Sequence, residues 1–171
     1  VPARMGATRF PGKMLAPLAG VPVVSYTAKA AKCVKGAAAV YVATDDELIA
    51  AAAQREGIEA IMTSAACANG SERVAEAYDQ LSARGETADV VINLQGDAPL
   101  TPHWIVEDII KAFDDPAVSV ATPVVRCTAE TLALFRADRA RDMVGGTTAV
   151  LSQSGKALYF SKEVLPFNGQ T

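Results

Sequence analysis

With 171 residues, half of them hydrophobic and a fifth charged, the chain has the make-up of one globular domain with a sizeable core. Its net charge of −3 excludes the global basic field of a nucleic-acid binder, and no apolar run is long enough to span a bilayer. Three scattered cysteines without CxxC spacing and a single histidine frame neither a disulfide scaffold nor a soft-metal site. Reduced thiols in a cytoplasmic compartment are the simplest expectation, and there is no signal-peptide pattern.

The opening stretch, VPARMGATRFPGKML, sets Arg4, Arg9 and Lys13 among glycines, prolines and small residues. Pro2 and Pro11 lack a donor N–H and Gly6 and Gly12 weaken any helix, so the stretch reads as a strand end followed by a basic loop. PVVSYTAKAAKC at 22–33 suits a helix opened by a proline, and AVYVAT at 39–44 a short buried strand. TDDELIAAAAQREG then predicts a helix capped by Thr44 or Asp45, with acidic residues in its first turn and a stop at Gly57. IEAIMT at 58–63 is strand-like, and GSERVAEAYDQLSARG at 70–85 is a helix ending at Gly85. DVVINLQ at 89–95 is the most strongly apolar strand.

After the turn GDAPLTP, Thr101 is expected to cap a helix with Pro102 at its first position, opening PHWIVEDIIKAF. His103 reads as a capping histidine and Trp104 as a packed tryptophan. VSVATPVV at 118–125 predicts a strand, TAETLALF at 128–135 a short helix, and TTAVLSQSGKALYFS at 147–161 two strands around Gly155. The alternation implies an α/β fold with a mostly parallel central sheet flanked by helices and a late antiparallel hairpin, as a single domain over 1–171. In such sheets ligands bind beyond the carboxyl ends of the strands. The basic loop, the TSAACANGSER stretch and the QGDAP turn would lie at that edge.

Guanidinium forks suit phosphate oxygens, a lysine adds a mobile point charge, and glycines let backbone N–H groups approach a ligand. Composition alone nevertheless favours a solvated loop whose cations pair with surface carboxylates. The loop is neither a P-loop nor a dinucleotide fingerprint. Asp97, delivered past a Gly turn by an apolar strand, can bind Mg²⁺ completed by substrate phosphates, or can simply stabilise its turn. Three cations at the same predicted edge move the balance towards a metal–nucleotide site. Arg73 stands near a helix start, where N-terminal amides favour anions; its plainer alternative is a pair with Glu76 one turn on. The Asp45–Asp46 pair reads as capping and first-turn charge.

Five ordered blocks carry a family resemblance. VPARMGATRFPGKML resembles the signature loop P-A-R-x-x-S-T-R-L-P-G-K-P-L of the 3-deoxy-manno-octulosonate (Kdo) cytidylyltransferases. VATDD at 42–46, NGSERVAE at 69–76 (against S-G-T-D-R-x-A-E), NLQGDAPL at 93–100 (against N-x-Q-G-D-E-P-L) and GKALYFSKEVLPF at 155–167 follow in the same order. The departures are Ala7 for Ser, Met14 for Pro, Ala98 for Glu, and Asn69, Ser71 and Glu72 for Ser, Thr and Asp.

The resemblance implies a Rossmann-like nucleotidyltransferase fold, cut short here at both ends. It also implies transfer of CMP from CTP to Kdo with release of pyrophosphate, in lipopolysaccharide precursor synthesis. Acylneuraminate-type transfer, or a non-catalytic nucleotide-binding module, stands as the alternative. By position, Arg4, Arg9 and Lys13 would hold the triphosphate, Arg73 and Gln95 would line the nucleotide and sugar region, and Asp97 would be one of two carboxylates for Mg²⁺. Lys13 and Asp97 would be the catalytic pair. The partners implied are CTP, a keto sugar acid and a second copy in a homodimer, with no nucleic acid and no membrane, in the cytoplasm.

Overall fold

The computed structural model describes residues 1–6 and 10–165, which fall into two compact units, Val1–Ala121 and Thr122–Thr171. The first unit is built on a parallel sheet of three strands in the order β1 (Pro2–Ala3), β4 (Tyr41–Thr44), β5 (Glu59–Met62). Ala43 faces Pro2 across one ladder and Ile61 across the other. Between β1 and β4 the chain makes a two-residue antiparallel pairing of β2 (Pro17–Leu18) with β3 (Val21–Pro22), then helix α1 (Val23–Lys32).

Side chains on a strand alternate between faces, and the core divides accordingly. Val42 packs with Val24 and Ala28 of α1 and with Ile49, Ala52 and Ala53 of α2 (Glu47–Arg55). Ala43 and Ile61 meet Ala77 and Leu81 of α3 (Gly70–Ala83) on the other face. Small alanines on all three helices let their backbones approach the sheet closely. This is the α/β layering expected from the alternation of elements.

Local chemistry explains the helix ends. The Asp46 carboxylate, not Thr44 or Asp45, caps α2 by accepting from the N–H groups of Leu48 and Ile49 at 2.9 and 3.1 Å. Thr44 instead accepts from the Asp46 N–H, so it holds the cap rather than being one. Asn69 caps α3 through Ser71 and Glu72. Helix α4 spans His103–Ala112, and Pro102 is its N-cap with no side-chain bond. The expected Thr101 cap fails because Thr101 lies one residue too early and its N–H is tied to the Ala98 carbonyl. His103 bonds Glu107 along the helix at 3.1 Å rather than the helix end, and Trp104 is 56% exposed rather than packed.

The expected strand at 89–95 forms no regular ladder. In a parallel pairing alternate residues of β1 face opposite neighbours. Val1 O and Ala43 N are bonded on one side, so Pro2 is left to face the 94–96 stretch. Its carbonyl accepts from Gly96 N at 3.1 Å, but a proline has no N–H to continue the ladder. An apolar hollow of about 450 Å³ accordingly lies beside this stretch, lined by Val40, Tyr41, Leu81, Val91, Ile92 and Ile110 among others. The expected strand at 118–125 is also irregular: Pro123 interrupts it, and Val120 and Val125 are 85% and 87% exposed.

In the second unit, α5 (Ala129–Arg139) is capped by Thr128 and runs one turn beyond the predicted end. β6 (Thr148–Leu151) and β7 (Ala157–Ser161) form the expected antiparallel hairpin. Arg139 ties the end of α5 to this hairpin region through the carbonyls of Lys162, Met143 and Gly146.

Candidate active site

At the carboxyl ends of β1, β4 and β5, the first unit opens into a cleft of about 310 Å³. Arg4, Lys13, Arg73, Gln95 and Asp97 all line it, together with Asn69 and Gly70 at the start of α3. Five residues far apart in sequence are thus brought together. Arg9 lies outside the described residues.

Arg4 follows β1 directly and is exposed. Lys13 opens a single 3₁₀ turn, Lys13–Leu15, whose N-cap Gly12 has φ +72°, a left-handed conformation that favours glycine. Gly12 N bonds the Met5 carbonyl and Met14 is buried, so the turn carrying Lys13 is fixed at both ends. The Lys13 ammonium pairs with the Asp97 carboxylate across the cleft.

Asp97 owes its place to Gly96. A Cβ on Gly96 would sit 2.9 Å from Pro2 O and 3.2 Å from both Ala3 Cβ and Met14 Sδ, so only glycine lets this turn lie against β1. The Gly96 carbonyl accepts from the buried Thr27 hydroxyl of α1 at 2.8 Å. Gln95, on the other side of Gly96, is steered by Asn93: its Nε2 donates to Asn93 Oδ1 at 2.7 Å, and Asn93 donates to Ser71 of α3 at 3.3 Å. Sequence reading did not single out Asn93, whose part is visible only once α3 stands beside it.

Arg73 is only 2% exposed. Its Nη2 pairs with Asp45 at 3.1 Å and its Nη1 donates to Thr63 Oγ1 at 2.5 Å. Its partner is therefore Asp45 from the end of β4, not Glu76. Glu76 accepts from the Ser64 N–H at 2.8 Å and the Cys67 thiol at 3.1 Å, folding the 63–69 loop onto α3. The bond to Cys67, followed by that from Ser64, holds the Glu76 carboxyl below its ordinary range, and the same carboxylate raises the thiol.

Among the described residues no group of three or more His, Cys, Asp or Glu gathers as a metal site. Asp97 is the one carboxylate among the described residues lining the cleft. A hard divalent cation such as Mg²⁺ commonly takes one or two carboxylates and completes its shell with water and substrate phosphates, so the lone Asp97 fits such a cation when it arrives with a polyphosphate that draws Lys13 away. The larger apolar hollow has no cation in its wall and suits no anion. No helix among the described residues is long and apolar enough to cross a membrane.

Comparison with known proteins agrees with this geometry. The chain is 44% identical over 168 residues to a 3-deoxy-manno-octulosonate cytidylyltransferase of Maricaulis maris, covering 98% of this chain and 64% of that relative. It is 36% identical over 172 residues to an 8-amino-3,8-dideoxy-manno-octulosonate cytidylyltransferase of Shewanella baltica, covering 100% of this chain and 66% of the relative. A solved structure of CMP:2-keto-3-deoxy-manno-octonic acid synthetase complexed with CTP superposes with a TM-score of 0.83 at 34% identity, over 98% of this chain and 64% of that one. The chain thus spans just under two thirds of the length of the relatives it matches. With the family model of the cytidylyltransferases matched from residue 1 to residue 171, and residues of three of the motif blocks gathered at one cleft, the chain belongs to the cytidylyltransferase family.

Proposed function

We propose that this protein transfers CMP from CTP to a 2-keto sugar acid, 3-deoxy-manno-octulosonate, with release of pyrophosphate. The observation that carries this reading is the convergence of Arg4, Lys13, Arg73, Gln95 and Asp97 on one cleft at the carboxyl edge of a parallel sheet. A relative of matching fold was solved with CTP, and one of 44% identity bears the Kdo activity in its name.

In this mechanism Arg4 and Lys13 hold the triphosphate. Lys13 exchanges its partner Asp97 for phosphate oxygens as CTP enters, which frees Asp97. Arg73 and Gln95 line the nucleotide and sugar side, with Gln95 oriented through Asn93. The sugar hydroxyl attacks the α-phosphorus in line and gives up its proton to water as the new P–O bond forms; the bond between the α-phosphorus and its bridging oxygen breaks, and pyrophosphate leaves with that oxygen and its electron pair. In this reading Lys13 contacts the leaving pyrophosphate, so its stabilisation grows as charge builds there towards the transition state. Asp97 would hold Mg²⁺ together with phosphate oxygens, and the ion, when bound, would supply further neutralisation of that charge. Residues 1–171 are read as part of one nucleotidyltransferase domain, acting in the cytoplasm as a homodimer without nucleic acid or membrane.

The test is pyrophosphate release from CTP with Kdo, its 8-amino-8-deoxy analogue and an acylneuraminate offered in turn, with and without Mg²⁺. Release with Kdo that depends on Mg²⁺ and falls sharply in Asp97→Asn supports the reading. Release confined to the amino analogue would move the substrate to the activity named for the Shewanella relatives. Release from none of the three, by a protein that binds CTP, would favour a non-catalytic nucleotide-binding module.

A further inference from the structure

The pair of aspartates that follows β4 is split between two tasks. Asp46 accepts both first-turn N–H groups of α2 and has no other described role. Asp45 takes no part in the cap. Its carboxylate reaches across the end of the sheet to α3, where it meets the Arg73 guanidinium at 3.1 Å.

The second anchor of that guanidinium is Thr63, at the carboxyl end of β5. Thr63 is itself held by the sheet, since its N–H donates to Thr44 O at 2.8 Å. Arg73 is thus gripped by the ends of two adjacent strands, at two different nitrogens of one planar fork. Two such contacts fix the plane of a guanidinium that could otherwise turn about its long stem. Glu76, one turn on in α3, is engaged by Ser64 and Cys67, and among the described residues Asp45 is the ion-pair partner of Arg73.

We propose that Asp45 is a positioning residue of the cleft: through its ion pair it sets the orientation in which Arg73 meets the nucleotide, with Thr63 as the second fixed point. The inference rests on the reading that Arg73 lines a nucleotide subsite. Without Asp45 the nearly buried arginine loses its direct ion-pair partner and keeps only the longer-range attraction of Glu76, so it turns towards solvent or water enters beside it. Either event removes its N–H groups from the place the cleft gives them. An ion pair that served folding alone would lower the melting temperature and leave the nucleotide affinity of the folded protein where it was.

The experiment is an equilibrium titration of CTP, without sugar acid, against the protein and four variants: Asp45→Ala, Asp45→Asn, Arg73→Ala and the Asp45→Ala/Arg73→Ala double. Circular dichroism at the assay temperature confirms that each is folded. Asp45→Ala should weaken CTP binding about tenfold, Asp45→Asn should recover part of the loss, and the double variant should bind no more weakly than Arg73→Ala alone. Should Asp45→Ala fail to fold, Asp45→Asn and Thr63→Val carry the same test, each expected to show a loss of severalfold. Parent-like affinity in the folded Asp45 variants beside a clear loss in Arg73→Ala, or losses that add in the double variant, would overturn the inference. Parent-like affinity in Arg73→Ala would overturn the nucleotide-subsite reading itself, and the role of Asp45 with it.

Discussion

Gly96→Ala is the sharpest perturbation the fold offers, because one methyl group tests the packing and the site together. The added Cβ would stand 2.9 Å from the Pro2 carbonyl oxygen, which is backbone in a strand and cannot swing away, and 3.2 Å from Ala3 Cβ and Met14 Sδ. To make room the turn must move off β1. That motion strains two hydrogen bonds, Gly96 N to Pro2 O at 3.1 Å and Thr27 Oγ1 to Gly96 O at 2.8 Å. Overpacking of this kind typically costs about 1–3 kcal/mol, and loss of one of the bonds about 1 kcal/mol more. A total of about 2–4 kcal/mol corresponds to a fall in melting temperature of roughly 5–15 °C for a chain of this length. Thermal unfolding followed by circular dichroism measures it. Gly85→Ala is the control: φ is +85° there but nothing lies within 4 Å, so only the left-handed backbone cost of about 1–2 kcal/mol applies. Below its transition, Gly96→Ala should also bind CTP more weakly, since Gln95 and Asp97 flank the displaced residue. A Gly96→Ala protein that melts within a degree or two of the parent and keeps its CTP affinity would refute the reasoning.

Gly70→Ala should behave differently, because its Cβ would meet chiefly the end of the flexible Gln95 side chain at 2.9 Å, with the Pro2 ring at 3.3 Å: melting should fall less than in Gly96→Ala, while the KM for the sugar acid rises severalfold, read by pyrophosphate release. Asp46→Ala removes both acceptor bonds of the α2 cap and should cost about 1 kcal/mol, seen in chemical denaturation, with CTP affinity unchanged. Glu76 has its pKa depressed in the folded state, so its contribution is present above the ordinary carboxylate value and is lost as pH falls through the lower folded value. The melting temperature of the parent should therefore fall more steeply than that of Glu76→Gln as the pH drops below the ordinary carboxylate value. The same carboxylate raises the Cys67 thiol, so iodoacetamide at mildly alkaline pH should label Cys67 more slowly than the exposed Cys33, and Glu76→Gln should narrow that gap.

Much of the fold was legible because its signals are local. The helices expected at 22–33, 70–85 and 128–135 and the glycine stop after α2 are each decided within a few residues, whereas the caps expected at Thr44 or Asp45 and at Thr101 fell to neighbouring residues. What was not legible depends on contacts distant in sequence. The apolar run at 89–95 has every strand propensity, yet its regularity depends on the donor that Pro2 lacks. Asp45 and Asp46 look alike in the sequence, and only the approach of α3 assigns one to Arg73 and leaves the other as cap. The cleft was legible at the level of its members, since Arg4, Lys13, Arg73, Gln95 and Asp97 all sit beside strand ends or helix starts. How those members are held was not, because the Lys13–Asp97 pair, the Asn93 link and the Thr27 bond to Gly96 join segments that the sequence keeps apart.

The central claim is that the basic cleft holds a triphosphate, and Lys13 tests it most directly. Calorimetric titration of CTP and of CMP against the protein and against Lys13→Ala, at fixed ionic strength, separates the phosphate contribution from that of the base and ribose. CTP should bind at least about tenfold more tightly than CMP to the parent, and Lys13→Ala should remove most of that difference while leaving CMP affinity nearly unchanged. Equal affinity for CTP and CMP in the parent, or a preference for CTP that survives Lys13→Ala intact, would contradict the account.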